Sequence, residues 1–312
     1  MRRDRSSGRR SSRRRGSTGR FRPHGWLGLG LIAIFWYTNW NLPGLRTHWG
    51  FFPLWLGYCL LVDALAYART GTSLLTRSRQ SYVALFLLSA PSWWLFEAIN
   101  LRTQNWWYVG ADQFEPAAYA FWTTLSFTTV MPAVFGTAEL FAGTRWLQAM
   151  GAGPKLGVRP WSIVLFFMAG WLMLALLLVF PSVFFPLVWL SVYFIIEPIN
   201  VWLGHLSLAT FTREGDWRPV IALWCGVLTT AFFWEMWNYW SFPKWAYQVP
   251  GISHPKLFEM PLPGYGGYLP FALELAAIHS LLSGALRPHD TDGTWWRPLG
   301  PSITSASVGR NA

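Results

Sequence analysis

Apolar stretches of spanning length recur along the chain at about 26–44, 51–68, 82–100, 117–142, 161–180, 182–203, 219–240 and 268–286. Each is near the ~20 residues that a helix needs to cross a hydrocarbon core. The pattern predicts an all-α fold, a polytopic transmembrane helix bundle of about eight spans. The first and last stretches are interrupted by Gly and Pro and are the least regular. A turn at Pro181 joins spans five and six so closely that they must form a helical hairpin. The segment 241–267 contains PGISHPKLFEMPLPGYGGY, whose Pro and Gly resist a regular helix. Its apolar residues suit a lid or a re-entrant segment at a membrane surface.

Composition agrees with a bilayer as the solvent. Of 312 residues, 53% are hydrophobic and 12% charged, about half the charged share of a soluble domain. The 23 tryptophans fit a chain with two membrane–water interfaces, where the indole ring is favoured. Cys59 and Cys225 fall inside predicted spans and read as packing residues rather than a disulfide or metal pair.

Charge sets the orientation. Ten of the 25 basic residues lie in the first 22 positions, so the region 1–24 is expected to be a disordered, Arg-rich cytoplasmic tail. Such a tail reads as a topogenic anchor rather than a specific nucleic-acid contact, and no cleavable signal peptide follows it. Without the tail, the loops assigned to the inside carry 11 basic residues and those outside carry 4. This bias places both termini in the cytoplasm and the chain in the cell membrane, as a multi-pass inner-membrane protein. The transmembrane domain then covers 25–286, and 287–312 is a cytoplasmic C-terminal tail.

An internal echo runs through the pattern. Glu97, Asn100 and Trp107 recur as Glu235, Asn238 and Trp245, at one offset of 138 residues. Asp63 and Glu197 form a looser pair. Spans three and seven run the same way, which suggests two parallel four-helix halves related by an axis along the membrane normal.

Carboxylates inside spans are the informative chemistry, since each costs about 2.5–3.5 kcal/mol to insert and needs a partner, a proton or a polar cavity. Six fall in this class: Asp63, Glu97, Glu139, Glu197, Glu235 and Glu274. Three share a Glu-x-x-Asn pattern, with Asn100, Asn200 and Asn238 one turn beyond Glu97, Glu197 and Glu235, so amide and acid share a helix face. Glu97 and Glu235 lie about 24 Å along their helices, near the outer boundary, and Glu274 reaches a similar level. Tryptophans and tyrosines crowd the same layer. Catalytic roles therefore fall to Glu97, Asn100, Glu235, Asn238 and Glu274. Substrate binding falls to Trp107, Trp245, Tyr247 and Glu259. No phosphate loop, zinc motif or Asp-rich diphosphate motif is present, so no metal or cofactor is expected.

The tract 234–274, WEMWNYWSFPKWAYQVPG followed by LFEMPLPGYGGYLPFALE, resembles the C-terminal part of multi-pass bacterial membrane proteins of no assigned function. It also resembles lycopene-cyclase-type membrane domains, through Trp245, Tyr247, Glu259, Pro261 and Leu262. In that family the acidic pair follows Pro-Leu, whereas here Glu259 precedes it. The resemblance implies a membrane enzyme acting on an isoprenoid. The residues themselves leave three expectations open: a cofactor-free enzyme working on a lipid or isoprenoid by acid–base chemistry, a proton-coupled transporter, or a structural or assembly subunit with unknown protein partners. An enzyme needs a closed pocket at one level, and a transporter needs a water-lined path joining both acid layers.

Overall fold

The computed structural model describes residues 20–44, 47–251, 254–286 and 294–300. The expected N-terminal tail lies outside the described residues apart from its last few positions, and the C-terminal tail is described only at 294–300. In chain order the helices are α1 (Pro23–Asn41), α2 (Thr47–Thr70), α3 (Leu74–Arg77), α4 (Arg79–Thr103), α5 (Pro116–Phe127), α6 (Val130–Ala142) and α7 (Arg145–Gln148). They continue as α8 (Pro160–Val179), α9 (Pro181–Phe184), α10 (Val188–Leu203), α11 (Leu208–Arg213), α12 (Arg218–Tyr239) and α13 (Tyr268–Leu286). The strands are β1 (Trp106–Val109), β2 (Lys244–Tyr247), β3 (Lys256–Leu257) and β4 (Met260–Pro261). The fold is all-helical apart from two short antiparallel ladders, β1–β2 and β3–β4.

Among the described residues, seven helical stretches are long and apolar enough to cross a membrane: His48–Thr70, Arg79–Thr103, Pro116–Ala142, Pro160–Val179, Pro181–Leu203, Arg218–Tyr239 and Leu262–Leu286. Helix α1 occupies the first expected stretch but is not among them.

Local chemistry fixes the boundaries. Ser73 caps α3 through a reciprocal bond with Thr76, and Ser78 caps α4 by accepting the Ser81 N–H. Gly204 ends α10 in the left-handed conformation, which costs glycine nothing. The stretch 117–142, expected as one helix, is broken at Thr128–Thr129. Pro132 has no N–H to give the Thr128 carbonyl. The hydroxyls of Thr128 and Thr129 turn back onto the carbonyls of Leu125 and Ser126, at 2.6 and 2.7 Å. Ser89 of α4 completes the break, accepting from the Met131 N–H at 3.1 Å and donating to the Phe127 carbonyl at 2.5 Å.

Packing follows one scheme twice. Helix α1 lies on α2, and α8 on α10; α2 lies on α6, and α10 on α13; α4 lies on α6, and α12 on α13. The two sets meet where α6 contacts α12 and α13 contacts α4. The α1–α2 contact depends on Gly28 and Gly57, since a Cβ on either would come within 2.8 Å of the other's carbonyl oxygen.

The bundle has two distinct ends. One carries the β1–β2 ladder and the entries to α5 and α13. The other carries α3, α7, α11 and residues 294–300. That last segment is part of the packed structure: Trp295 is fully buried and stacks on Phe135 with centroids 6.2 Å apart. Arg77, Gln148 and Arg218 donate to the carbonyls of Thr294, Pro298 and Leu299.

Candidate functional site

The ends of α4 and α12 are built alike. Asn100 donates its amide to the Trp106 carbonyl at 2.7 Å and accepts from the Asn105 N–H at 2.9 Å. Asn238 donates to the Trp245 carbonyl at 2.7 Å and accepts from its N–H at 2.9 Å. Both amides therefore turn the chain from helix into strand and are spent on backbone groups. The strands pair with Trp106 opposite Tyr247, Trp107 opposite Ala246 and Tyr108 opposite Trp245. Because strand side chains alternate, Trp106, Tyr108, Trp245 and Tyr247 share one face and Trp107 points to the other.

That shared face reaches back to the acids. One oxygen of Glu97 accepts from Trp93 Nε1 and Trp106 Nε1 at 3.0 Å and from the Tyr108 hydroxyl at 2.6 Å. One oxygen of Glu235 accepts from the hydroxyls of Tyr247 and Tyr268, at 2.7 and 2.6 Å. The second oxygen of Glu235 and the indole nitrogen of Trp245 are buried, and the Trp245 side chain faces the same carboxyl group. The recurring unit is thus Glu-x-x-Asn followed by Trp-x-Tyr, whose tyrosine returns to the glutamate. The second copy has one more residue in its turn. Trp106, rather than the expected Trp107, is consequently the counterpart of Trp245, and Trp107 is 45% exposed.

A second recurrence lies at the opposite end. Asp63 accepts from the Leu75 N–H at 2.9 Å, and Glu197 accepts from the Ala209 N–H at 2.8 Å, each twelve residues on. The hydroxyls of Ser73 and Thr76 meet at 3.0 Å, and those of Ser207 and Thr210 at 3.1 Å. Trp55 and Trp189 keep the same offset of 134 residues as these pairs. The copies differ in their further partners. Asp63 also takes the Ser73 hydroxyl at 2.8 Å and lies 3.0 Å from His24 Nε2. Glu139 pairs with Arg77 and accepts from the Leu74 N–H at 2.9 Å. At the same end Asp216 binds Arg218 at 2.7 Å, and His205 lies against Gly284.

At the strand end a cavity of about 300 Å³ opens among these aromatics. Trp93, Trp106, Tyr108, Trp245, Tyr247 and Tyr268 wall one side. His48, Tyr119, Trp122 and the α5–α6 break wall the other, and Trp189, Trp234 and Phe271 close it from below. Glu97 and Glu235 are not in the wall: the rings that hold them are. Of the residues expected to bind substrate, Trp245 and Tyr247 line the cavity. Glu259 pairs with Lys244, whose side chain is in the wall. Glu274 is fully buried one turn beyond Phe271. Tyr268 and Trp189 escaped the sequence reading, because nothing in the pattern says which span faces the pocket.

The two strand tyrosines are held as proton donors. Burial, reinforced by the neighbouring carboxyl groups of Glu97 and Glu235, pushes the phenols of Tyr108 and Tyr247 well above their ordinary range. The walls are mostly apolar rings, so the cavity suits a hydrophobic molecule. Comparisons with protein-family models, curated proteins and solved structures gave no match to this chain.

Proposed function

We propose that this chain is an eight-span inner-membrane protein that takes a lipid or isoprenoid into the aromatic cavity and acts on it by acid–base chemistry without a cofactor. In this reading α1 is the eighth span, the strand end faces outward and both termini lie in the cytoplasm. The recurrences at both ends of the bundle support two parallel four-helix halves that arose by duplication. Helix α8 supports the membrane reading, with Trp161, Leu165, Met168 and Leu172 exposed as on a lipid-facing helix.

One observation carries the chemistry: two carboxyl groups stand behind tyrosines whose rings wall a single apolar cavity. When the acid is protonated the bond can reverse: the carboxyl group gives its proton to the phenol oxygen as the phenol gives its own to a bound alkene, so one proton leaves the acid for each alkene protonated. Aromatic faces around it stabilise the positive charge that protonation creates. Tyr108 and Tyr247 are the groups that meet the substrate, and Glu97 and Glu235 act through them.

The test compares total lipid extracts, by mass spectrometry, of cells lacking the protein and cells carrying either the wild type or Tyr247→Phe. The wild type converts at least one apolar species, and the variant leaves it unconverted while folding normally. Identical extracts in all three would sink the enzyme reading.

A further inference from the structure

The α10–α13 interface holds buried polar atoms that are poorly matched by protein groups. Glu197 Oε2 and Asn200 Oδ1 on α10, and both carboxyl oxygens of Glu274 on α13, lack a well-formed hydrogen bond. These three residues are at most 4% exposed. His205, just past α10, adds an unpartnered Nδ1 and packs on Gly284 of α13. The two helices are tied midway, where Asn200 donates to the Ala277 carbonyl at 2.9 Å.

These groups form a file along the interface. Glu274 lies one turn beyond Phe271, which closes the cavity from below. The Glu274 carboxyl group sits beside the backbone of Val192 and Tyr193. Glu197 and Asn200 follow one to two turns deeper, and His205 marks the opposite end of the bundle. From the level of Val192 to His205 the file covers about 20 Å at helical rise.

The fold does not require this polarity. The recurrence of the two halves supplies the comparison: Ala66 and Gly71 stand where Asn200 and His205 stand, and Gly136 where Glu274 stands. Asp63, the counterpart of Glu197, is fully engaged by Ser73, Leu75 and His24. One half thus builds the same packing from small residues, while the other carries a row of poorly matched polar groups. Left dry, such groups are costly, and buried polar groups that lack protein partners are satisfied by water.

We propose that this file is a hydrated proton path from the opposite end of the bundle to the floor of the aromatic cavity. One proton taken up at His205 is matched by one released from Glu274 towards the cavity, so no oxidant, reductant or cofactor enters. Its use as a proton supply for chemistry in the cavity rests on the acid–base reading. The hydrated path itself does not.

The test is cysteine accessibility in the full chain, reconstituted in liposomes, with a small charged methanethiosulfonate reagent added from the side of the opposite end. The parent protein, with Cys59 and Cys225 in place, gives the background. Thiol reactivity follows access to water, so Asn200→Cys and Glu274→Cys should react at least about tenfold faster than Ala66→Cys and Gly136→Cys. Ala277→Cys, a small change at the residue whose carbonyl Asn200 binds, carries the test if the other substitutions fail to fold. Equal rates in the two halves, or labelling only from the strand end, would overturn the path. Neither result depends on a substrate, so the path can fail while lipid conversion stands, and the reverse.

Discussion

Asn238 clamps Trp245 by both of its backbone groups, the N–H at 2.9 Å and the carbonyl at 2.7 Å. The clamp turns α12 into β2 and so sets where the Trp245 and Tyr247 rings enter the cavity. Asn238→Ala leaves both backbone groups unpaired in a buried turn, at about 1–3 kcal/mol each. Thermal unfolding of the purified protein should show a clear loss of stability. Asn238→Asp keeps the acceptor and loses the donor, and should fall between the two. An unchanged unfolding temperature in Asn238→Ala would mean that the turn is held by the β1–β2 pairing alone.

The same clamp shows how far the sequence could be read. Spacing placed Glu97 with Asn100 and Glu235 with Asn238 on common helix faces, and a helix face is a local property. It did not reveal that each amide would bend away to the chain after its own helix rather than bond the acid. That outcome depends on a strand pairing between residues about 140 positions apart. For the same reason Trp107 stood in for Trp106. An offset counted along the sequence cannot register a one-residue difference in turn length, whereas strand alternation puts the two indoles on opposite faces. The helices themselves were legible because about twenty apolar residues are a strong local signal. The α5–α6 break was not, since it relies on Ser89 from another helix.

Glu235 holds two phenols on one oxygen, with Trp245 also facing its carboxyl group. If it supplies protons through Tyr247, Glu235→Gln keeps the shape and removes the transferable proton. Conversion of the lipid species identified in the extracts should then fall roughly 10²–10⁴-fold, with the yield of folded protein unchanged. Tyr268→Phe removes one donor to the acid but leaves the Tyr247 route, and should slow conversion far less than Tyr247→Phe. Full conversion by Glu235→Gln would leave the acid a packing role only.

Tyr108 and Tyr247 give the protein a stability limit in alkali. Their phenols are raised in the folded state by burial and by the acids beside them. Below pH ~10 folded and unfolded chains both keep these protons, and stability does not depend on them. Above it the unfolded chain loses protons first, so stability falls as pH rises, by up to about 1.4 kcal/mol per pH unit for each phenol. Unfolding followed by tryptophan fluorescence in that range should show the decline, and Tyr108→Phe/Tyr247→Phe should show a shallower one. Parallel slopes would place both phenols in water.

The proposed orientation makes separate demands. Reporter fusions after residues 75, 150 and 212 should signal cytoplasm, and fusions after 112 and 250 the outer side. Residue 75 lies in α3 and residue 212 in α11, at the end opposite the strands, while 112 follows β1 and 250 follows β2. Two reversed signals would remove the eight-span arrangement and turn the cavity to the other face of the membrane.

Trp295 tests whether residues 294–300 are structural. Its ring is fully buried against Phe135, and the segment around it satisfies Arg77, Gln148 and Arg218 through backbone carbonyls. Arg77 in turn pairs with Glu139, so the segment helps hold a buried ion pair at the end opposite the cavity. Trp295→Ala empties a large site and should cost about 3–5 kcal/mol, as truncation of a buried aromatic does. Cleavage of the chain just before residue 294 should cost at least as much, because it also strips a carbonyl from each of the two arginines and the glutamine. Both losses are read as a lower unfolding temperature in purified protein, with Trp296→Ala, at a half-buried neighbour, as the milder control. If Trp295→Ala matches the wild type, the segment only rests on the bundle, and the Arg77–Glu139 pair must be held by α3 and α6 alone.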